Sequence, residues 1–428
     1  MLSTAAPPIK RFAVHAVDEK LNAEGFVKPG VTPDPPHDLI YLHRLGLQVG
    51  RDNVCAEAAR GGDLPLLALA HSDGYPWNEQ TCEAAAEGGY LEVLQWLRAN
   101  GCPWDSWTCA AAAKNGHLDI LTWLHAEGCP WDRWTCINAV SGGHLGLLQW
   151  AHANGCPWDE KVCEEAAKKG HFDILRWLHA TGCPWNSLTF AIAARIGRFD
   201  ILSWLRAEGC PWDEMTCANA AGGGHLDILM WLRGDNRPFG ATQQYIPALP
   251  CPWDADTCSS AAREGHRYII AWAHASGCPW DARTCALAAE RGDLALLKWL
   301  HAEGCPWDSQ TCTSAAGIGN LALLQWLHAE GCPWNIQTYA VAARVGNLDI
   351  VLWLHAEGCP WGESVCAAAA GGGHLDALTW LREGQGPANL PCPWDARTCS
   401  WALEEGHLDI VAWAHAHGCP CDHAAAPA

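Results

Sequence analysis

The chain repeats one phrase every 27 residues: Gly101 to Glu127 reads GCPWDSWTCAAAAKNGHLDILTWLHAE, and at Gly128 the phrase begins again. A unit this short cannot bury a core by itself. Its apolar surface must be covered by the copies before and after it. The period therefore selects a solenoid, which builds an extended face rather than one deep cavity. A single globular core of 428 residues would split into domains, whereas a stacked array carries no such limit.

Clear units begin at Gly74, Gly101, Gly128, Gly155, Gly182 and Gly209, and again at Pro250, Gly277, Gly304, Gly331, Gly358 and Pro391. A worn first unit, Leu47–Asp73, keeps Cys55, Ala58, Ala59 and the turn Gly62-Asp63-Leu64. The expected organisation is an N-terminal segment 1–46, proline-rich with at most a short helix near Phe12–Leu21. Repeats follow over 47–235, then an insertion loop over 236–249. Repeats resume over 250–417, with a short insertion at 385–390, and a tail covers 418–428.

Each unit reads as two helices. Asp105 is placed to N-cap the first, about Ser106–Lys114, with Thr108 at its third position. Cys109, Ala112 and Ala113 share one face, and alanine lets neighbouring helices approach closely. Asn115-Gly116 ends that helix, glycine supplying the left-handed cap. The second helix, about Leu118–Glu127, carries an apolar stripe of Leu118, Leu121 and Leu124 widened by Ile120 and Trp123. Gly128 stops it, and Cys129-Pro130-Trp131 turns the chain into the next copy. No segment alternates with period two, so the expected fold is all-α.

The phrase Thr108-Cys109, Ala112-Ala113, Gly116-His117-Leu118-Asp119-Ile120-Leu121 resembles the ankyrin repeat. The likeness covers about residues 47 to 417, and the Gly-His turn recurs at His171, His225, His374 and His407. The unit is shorter than the family's usual 33 residues. The shortfall lies where ankyrin proteins carry a β-hairpin finger, whose place is taken by Cys-Pro-Trp-Asp. Cys109 stands where the family has proline. The resemblance is to a short, tryptophan-rich, finger-less variety, and it implies a stack of about thirteen helix pairs that binds other proteins.

Of 27 tryptophans, twelve follow the loop proline and twelve lie in second helices. They read as packing between layers and as a cover over the space the finger would fill; an exposed aromatic ladder for glycans or peptides is the functional alternative. Cysteines recur seven apart, as Cys102 and Cys109, without the C-x2-4-C clustering of a zinc site, so both read as small buried thiols. His117 and its equivalents are expected to hydrogen-bond a neighbouring loop. His125, His179, His301, His328 and His355 lie at helix ends, where a charge would suit the dipole. One cluster departs from the pattern: His415, His417, Cys419, Cys421 and His423, either a zinc or copper site or a decayed last unit.

Lysine plus arginine number 27 and aspartate plus glutamate 47, a formal charge of -20. Such a surface repels nucleic acid and anionic membrane and suits a basic protein partner. No run of 18 apolar residues marks a membrane span. No secretory leader is evident, so an intracellular, cytoplasmic and monomeric protein with reduced thiols and no cofactor is expected. Repeated residues are copies, and catalysis needs one asymmetric cluster, so an enzyme is not expected. Three binding-type roles remain: an interaction scaffold, an adaptor or substrate receptor in a ligase or signalling complex, and a structural or decoy array. Positions that vary between copies are those the fold leaves free. They supply the candidate contacts Trp107, Trp134, Lys161, Met215, Arg397 and Trp401, with Arg237, Phe239 and Tyr245 in the long insertion. Trp107 and Trp134 occupy one position in adjacent units, expected about 10 Å apart, one helix diameter.

Overall fold

The computed structural model describes residues 54–234, 250–383 and 391–420. The N-terminal segment 1–46, the insertions 236–249 and 385–390, and residues 421–428 of the tail lie outside them. Among the described residues every regular element is an α-helix, and none is a strand. The chain divides between Trp158 and Asp159 into two compact units.

The first unit holds four helix pairs: α1 (Val54–Arg60) with α2 (Leu64–Ser72), α3 (Glu79–Gly88) with α4 (Leu91–Ala99), α5 (Ser106–Lys114) with α6 (Leu118–Ala126), and α7 (Arg133–Ser141) with α8 (Leu145–Ala153). The second unit holds nine pairs, from Glu160–Lys169 with Phe172–Ala180 to Ala396–Glu404 with Leu408–Ala416. Within each unit the first helix of a pair packs on the first helix of the next. Second helices of successive pairs stand farther apart.

Local chemistry explains the boundaries. Asp105 is extended, and its carboxylate accepts the Trp107 N–H at 3.0 Å, satisfying one orphan donor of α5. Asp132 does the same for α7 at 2.9 Å. Both helices of a pair end in the same way. At the end of α5, Gly116 has φ 78° and the His117 N–H reaches the Ala112 carbonyl at 3.0 Å. At the end of α6, Gly128 has φ 74° and the Cys129 N–H reaches the Leu124 carbonyl at 2.9 Å. These are Schellman closures, and they place His117 and Cys129 directly after the left-handed glycine that closes each helix.

Those two residues pin one repeat to the previous one. The Cys129 thiol donates to the Asp105 carbonyl at 3.4 Å, and the His117 Nε2 lies 3.3 Å from the Glu87 carbonyl. The thiol contact recurs through both units, for example Cys210 to Asn186 at 3.5 Å and Cys278 to Asp254 at 3.3 Å. The imidazole contact recurs at His144 to the Lys114 carbonyl, 3.2 Å, and His225 to the Arg195 carbonyl, 3.1 Å. Where histidine is absent another donor serves: Arg198 Nη1 reaches the Gly170 carbonyl at 2.8 Å, and Asn347 the Gly319 carbonyl at 3.2 Å. These bonds do between repeats what the missing hairpin would otherwise do with backbone.

The described cysteines are buried as expected, but the thiol partners differ from the seven-residue spacing. Cys109 of α5 meets Cys129, twenty residues on, in the loop entering the next repeat. Cys163 meets Cys183 in the same way. The hydrogen bond to the loop thiol, followed by burial, pushes the helical thiols of Cys109 and Cys163 well above the usual range.

The core is a seam of small side chains against leucines. Cys109, Ala112 and Ala113 are fully buried, as are Ile120, Leu121 and Leu124. Burying each such leucine contributes about 2 kcal/mol. Leu118 departs from expectation and is 38% exposed. At 100° per residue it lies about 110° from the centre of the stripe set by Ile120, Leu121 and Leu124.

The indoles form a half-buried outer layer. Trp104 meets Trp123 edge-on, centroids 5.7 Å apart at 73°, and Trp131 meets Trp150 at 6.0 Å and 69°. In the second unit Trp185 meets Trp204 at 5.7 Å and 72°. The helix-end histidines are not mainly dipole partners. His125 stacks on Trp131 at 4.1 Å, and His301 on Trp307 at 3.9 Å. Elsewhere arginine takes the same place, with Arg98 4.1 Å over Trp104 and Arg206 3.9 Å over Trp212.

Candidate functional site

The helix termini and the alanine seam fix every buried position of a first helix, leaving its first turn and one flank free. In α5 the free positions are Ser106 and Trp107, with Lys114 one end further on. Trp107 is 47% exposed. Its backbone N–H is held by the Asp105 cap, so the start of the helix that carries the ring is rigid. In α7 the equivalent ring is Trp134, half-buried.

The two rings meet. Their centroids are 5.7 Å apart with planes inclined 27°, a stacked pair rather than two indoles a helix diameter apart. Closely packed first helices, made possible by alanine, bring the side chains within reach. Arg133, beside Trp134 in sequence, holds its guanidinium 5.9 Å from that ring.

On α3, in the same row, lie Gln80, 27 residues before Trp107, and then Glu83 one turn on. Together with Ala56, Glu57 and Arg60 they line a shallow hollow. Arg60 bonds Glu57 at 2.8 Å and Glu87 at 3.1 Å. Glu83 is half-buried. Burial first, then the carboxylates of Asp105 and Glu87, push its carboxyl above the usual range, and Arg60 and Lys114 offset only part of this. Sequence reading overlooked Glu83. Its signal was present: the equivalent positions of the next two repeats carry Ala110 and Ile137, although Glu164 recurs in the one after.

The other candidates are dispersed in the second unit. Lys161 is exposed at the start of its helix, where its backbone N–H bonds the Asp159 carboxylate at 3.1 Å. Met215, 50% exposed, edges a shallow hollow with Asn219, Ser259, Arg263 and Leu287. Across it Arg283 pairs with Asp256 at 2.6 Å, an exposed pair worth little to stability. Arg397 pairs with its own cap residue Asp395 at 2.7 Å, and Trp401 is 39% exposed on the last first helix. Arg237, Phe239 and Tyr245 lie outside the described residues. Tyr268, 85% exposed, was not foreseen; it stands where other repeats carry the Asp119 position.

In the C-terminal cluster, His417 stacks on Trp413 at 4.1 Å with Nδ1 2.7 Å from the Trp413 carbonyl. Cys419 is buried and its thiol donates to the Asp395 carbonyl at 3.4 Å, as every other loop thiol of this kind does. His415 is exposed, and Cys421 and His423 lie outside the described residues. Among the described residues no group of three or more His, Cys, Asp or Glu is arranged to hold a metal ion, and no catalytic constellation comes together. No described helix is long and apolar enough to cross a membrane.

Residues 163–206 match the family model described as ankyrin repeats, many copies. The chain thus contains an ankyrin-repeat-like domain over that part. No curated protein matches it. Among solved structures it is similar to the human ASB11 ankyrin repeat domain, with 19% identity over 37% of this chain and 84% of that one, TM-score 0.32. It is also similar to the pentatricopeptide repeat protein PPR10 in complex with an 18-nt psaJ RNA element, with 14% identity over 91% of this chain and 72% of that one, TM-score 0.27.

Proposed function

We propose that this chain is a non-catalytic protein-interaction scaffold that engages its partner through the free row of first-helix side chains. The observation that carries the reading is the stacked Trp107–Trp134 pair, with Trp107 47% exposed on a rigidly capped helix. Large aromatic side chains left half in water at no benefit to the core are what interface hot spots are built from. Lys161, Met215, Arg397 and Trp401 are further contact positions, and Arg237, Phe239 and Tyr245 extend the same role to the insertion. The partner is a protein with a basic surface, since the chain carries a formal charge of -20. Apart from Cys399, which is disulfide-bonded, the described cysteines are free thiols, which suits a reducing, intracellular setting.

The test is site-specific crosslinking. A photoreactive residue is placed at Trp134, beside the anchor, or at Asp119, an exposed position on a second helix. The captured protein is then purified and its binding measured. Position 134 should crosslink one defined protein that position 119 does not, and Trp107→Ala should weaken its binding about tenfold or more. Equal capture from both positions, or unchanged affinity in the variant, refutes the scaffold reading.

A further inference from the structure

Trp134 reaches across from α7 and covers one face of Trp107. Since α5 packs between α3 and α7, the other face of Trp107 is turned toward α3, where Gln80 and Glu83 stand. No cation of the described residues lies on that face. Glu83 makes no hydrogen bond or ion pair among the described residues. Two cations act on Glu83: Arg60, which is engaged by Glu57 and Glu87, and Lys114, which forms no ion pair with it. A half-desolvated carboxylate and a half-exposed indole both favour a positive charge, and among the described residues no cation bonds the one or stacks on the other.

Elsewhere the chain does place an arginine over an indole. On the outer layer Arg98 lies 4.1 Å over Trp104, Arg206 3.9 Å over Trp212 and Arg382 3.8 Å over Trp394. We propose that Trp107 and Glu83 form a receptor for one arginine side chain of a basic segment in the partner protein. The guanidinium lies flat on the free face of Trp107 and directs its N–H fork at the Glu83 carboxylate. Trp134 backs the ring from behind. Arginine fits better than lysine, because a planar, weakly hydrated fork can stack and hydrogen-bond at once, whereas an ammonium is a compact, strongly hydrated charge. The raised carboxyl of Glu83 is consistent with a negative charge that gains when a cation arrives.

This inference rests on the scaffold role and names what its anchor takes. The test titrates fluorescein-labelled hexa-arginine and hexa-lysine peptides with the full chain and reads anisotropy at low and near-physiological salt. Hexa-arginine should bind at least about fivefold more tightly than hexa-lysine. Glu83→Gln and Trp107→Ala should each weaken hexa-arginine about fivefold or more. Glu290→Gln, which removes one exposed charge elsewhere, and Tyr268→Ala, which removes an exposed aromatic ring elsewhere, should leave affinity unchanged. Glu83→Gln relieves a buried charge, so loss of binding in this variant cannot be attributed to unfolding, and its circular dichroism spectrum verifies this. Equal affinity for the two peptides, or unchanged affinity in Glu83→Gln, overturns the arginine receptor. If a defined partner is still crosslinked at position 134 when that happens, the scaffold role stands and only its chemistry is wrong.

Discussion

Trp131→Ala tests whether the outer indoles hold the repeats together. Trp131 is half-buried between two aromatic neighbours, His125 stacked at 4.1 Å and Trp150 edge-on at 6.0 Å. Truncation exposes or empties about 100–150 Å² of apolar contact, worth about 2.5–4 kcal/mol at about 25 cal/mol per Å². The two ring contacts add about 0.5–1 kcal/mol each. His125 already meets Trp150 at 5.9 Å and can settle partly into the gap, which returns some of this. A net cost of about 3–4 kcal/mol follows. Because each repeat contacts only its neighbours, the loss should be local. Hydrogen exchange should show protection falling in α5 through α8 first, while urea unfolding of the full chain followed by far-ultraviolet circular dichroism shifts to lower midpoint. Trp104→Ala, where Arg98 replaces the histidine at 4.1 Å, should cost a similar amount. A cost under about 0.5 kcal/mol at either position, the range of an ordinary surface change, would mean that the indoles decorate the stack rather than seal it.

Gly89 has φ +83°, and a Cβ there would come within 2.6 Å of the His117 ring, so Gly89→Ala should cost about 2–3 kcal/mol from backbone strain and lost packing. In the double variant Gly89→Ala, His117→Ala part of that cost should return; strictly additive losses by urea unfolding would refute the contact. Glu83→Gln should stabilise at neutral pH and have no effect near pH 3. The folded carboxyl is raised by burial first and then by Asp105 and Glu87, so its stability contribution is full below the ordinary carboxylate range and lost as pH rises through the folded value. A thermal midpoint that rises equally at both pH values would contradict this. Burial pushes the Cys210 and Cys359 thiols up to about 12, so at pH 8 they should resist alkylation until denaturant is added. Rapid labelling of the folded chain, read by mass spectrometry, would place them at the surface.

The helix pairs were readable from residue order because their signals are local. Asp105, Gly116 and Gly128 act within one turn of themselves, and the observed α5 spans the residues their positions mark out. The candidate site was readable only in part. Trp107 and Trp134 were visible as departures from the copied phrase, but their approach to 5.7 Å depends on how closely α5 and α7 pack. Glu83 also differs from Ala110 and Ile137 at the same position of the next two repeats, yet its lack of an ion pair depends on where Arg60 spends its two bonds.

Residue order alone determines the unit: a 27-residue period, two helices with their caps, and an alanine and cysteine seam that must be covered by a neighbour. Tertiary structure decides which distant groups become partners. Cys129 bonds the Asp105 carbonyl, His117 the Glu87 carbonyl, and His125 stacks on Trp131 rather than serving mainly the helix dipole. A cap or a helical stripe is set within a few residues of chain. A contact across repeats is set by the rise and rotation from one copy to the next, and only the packed stack contains that quantity.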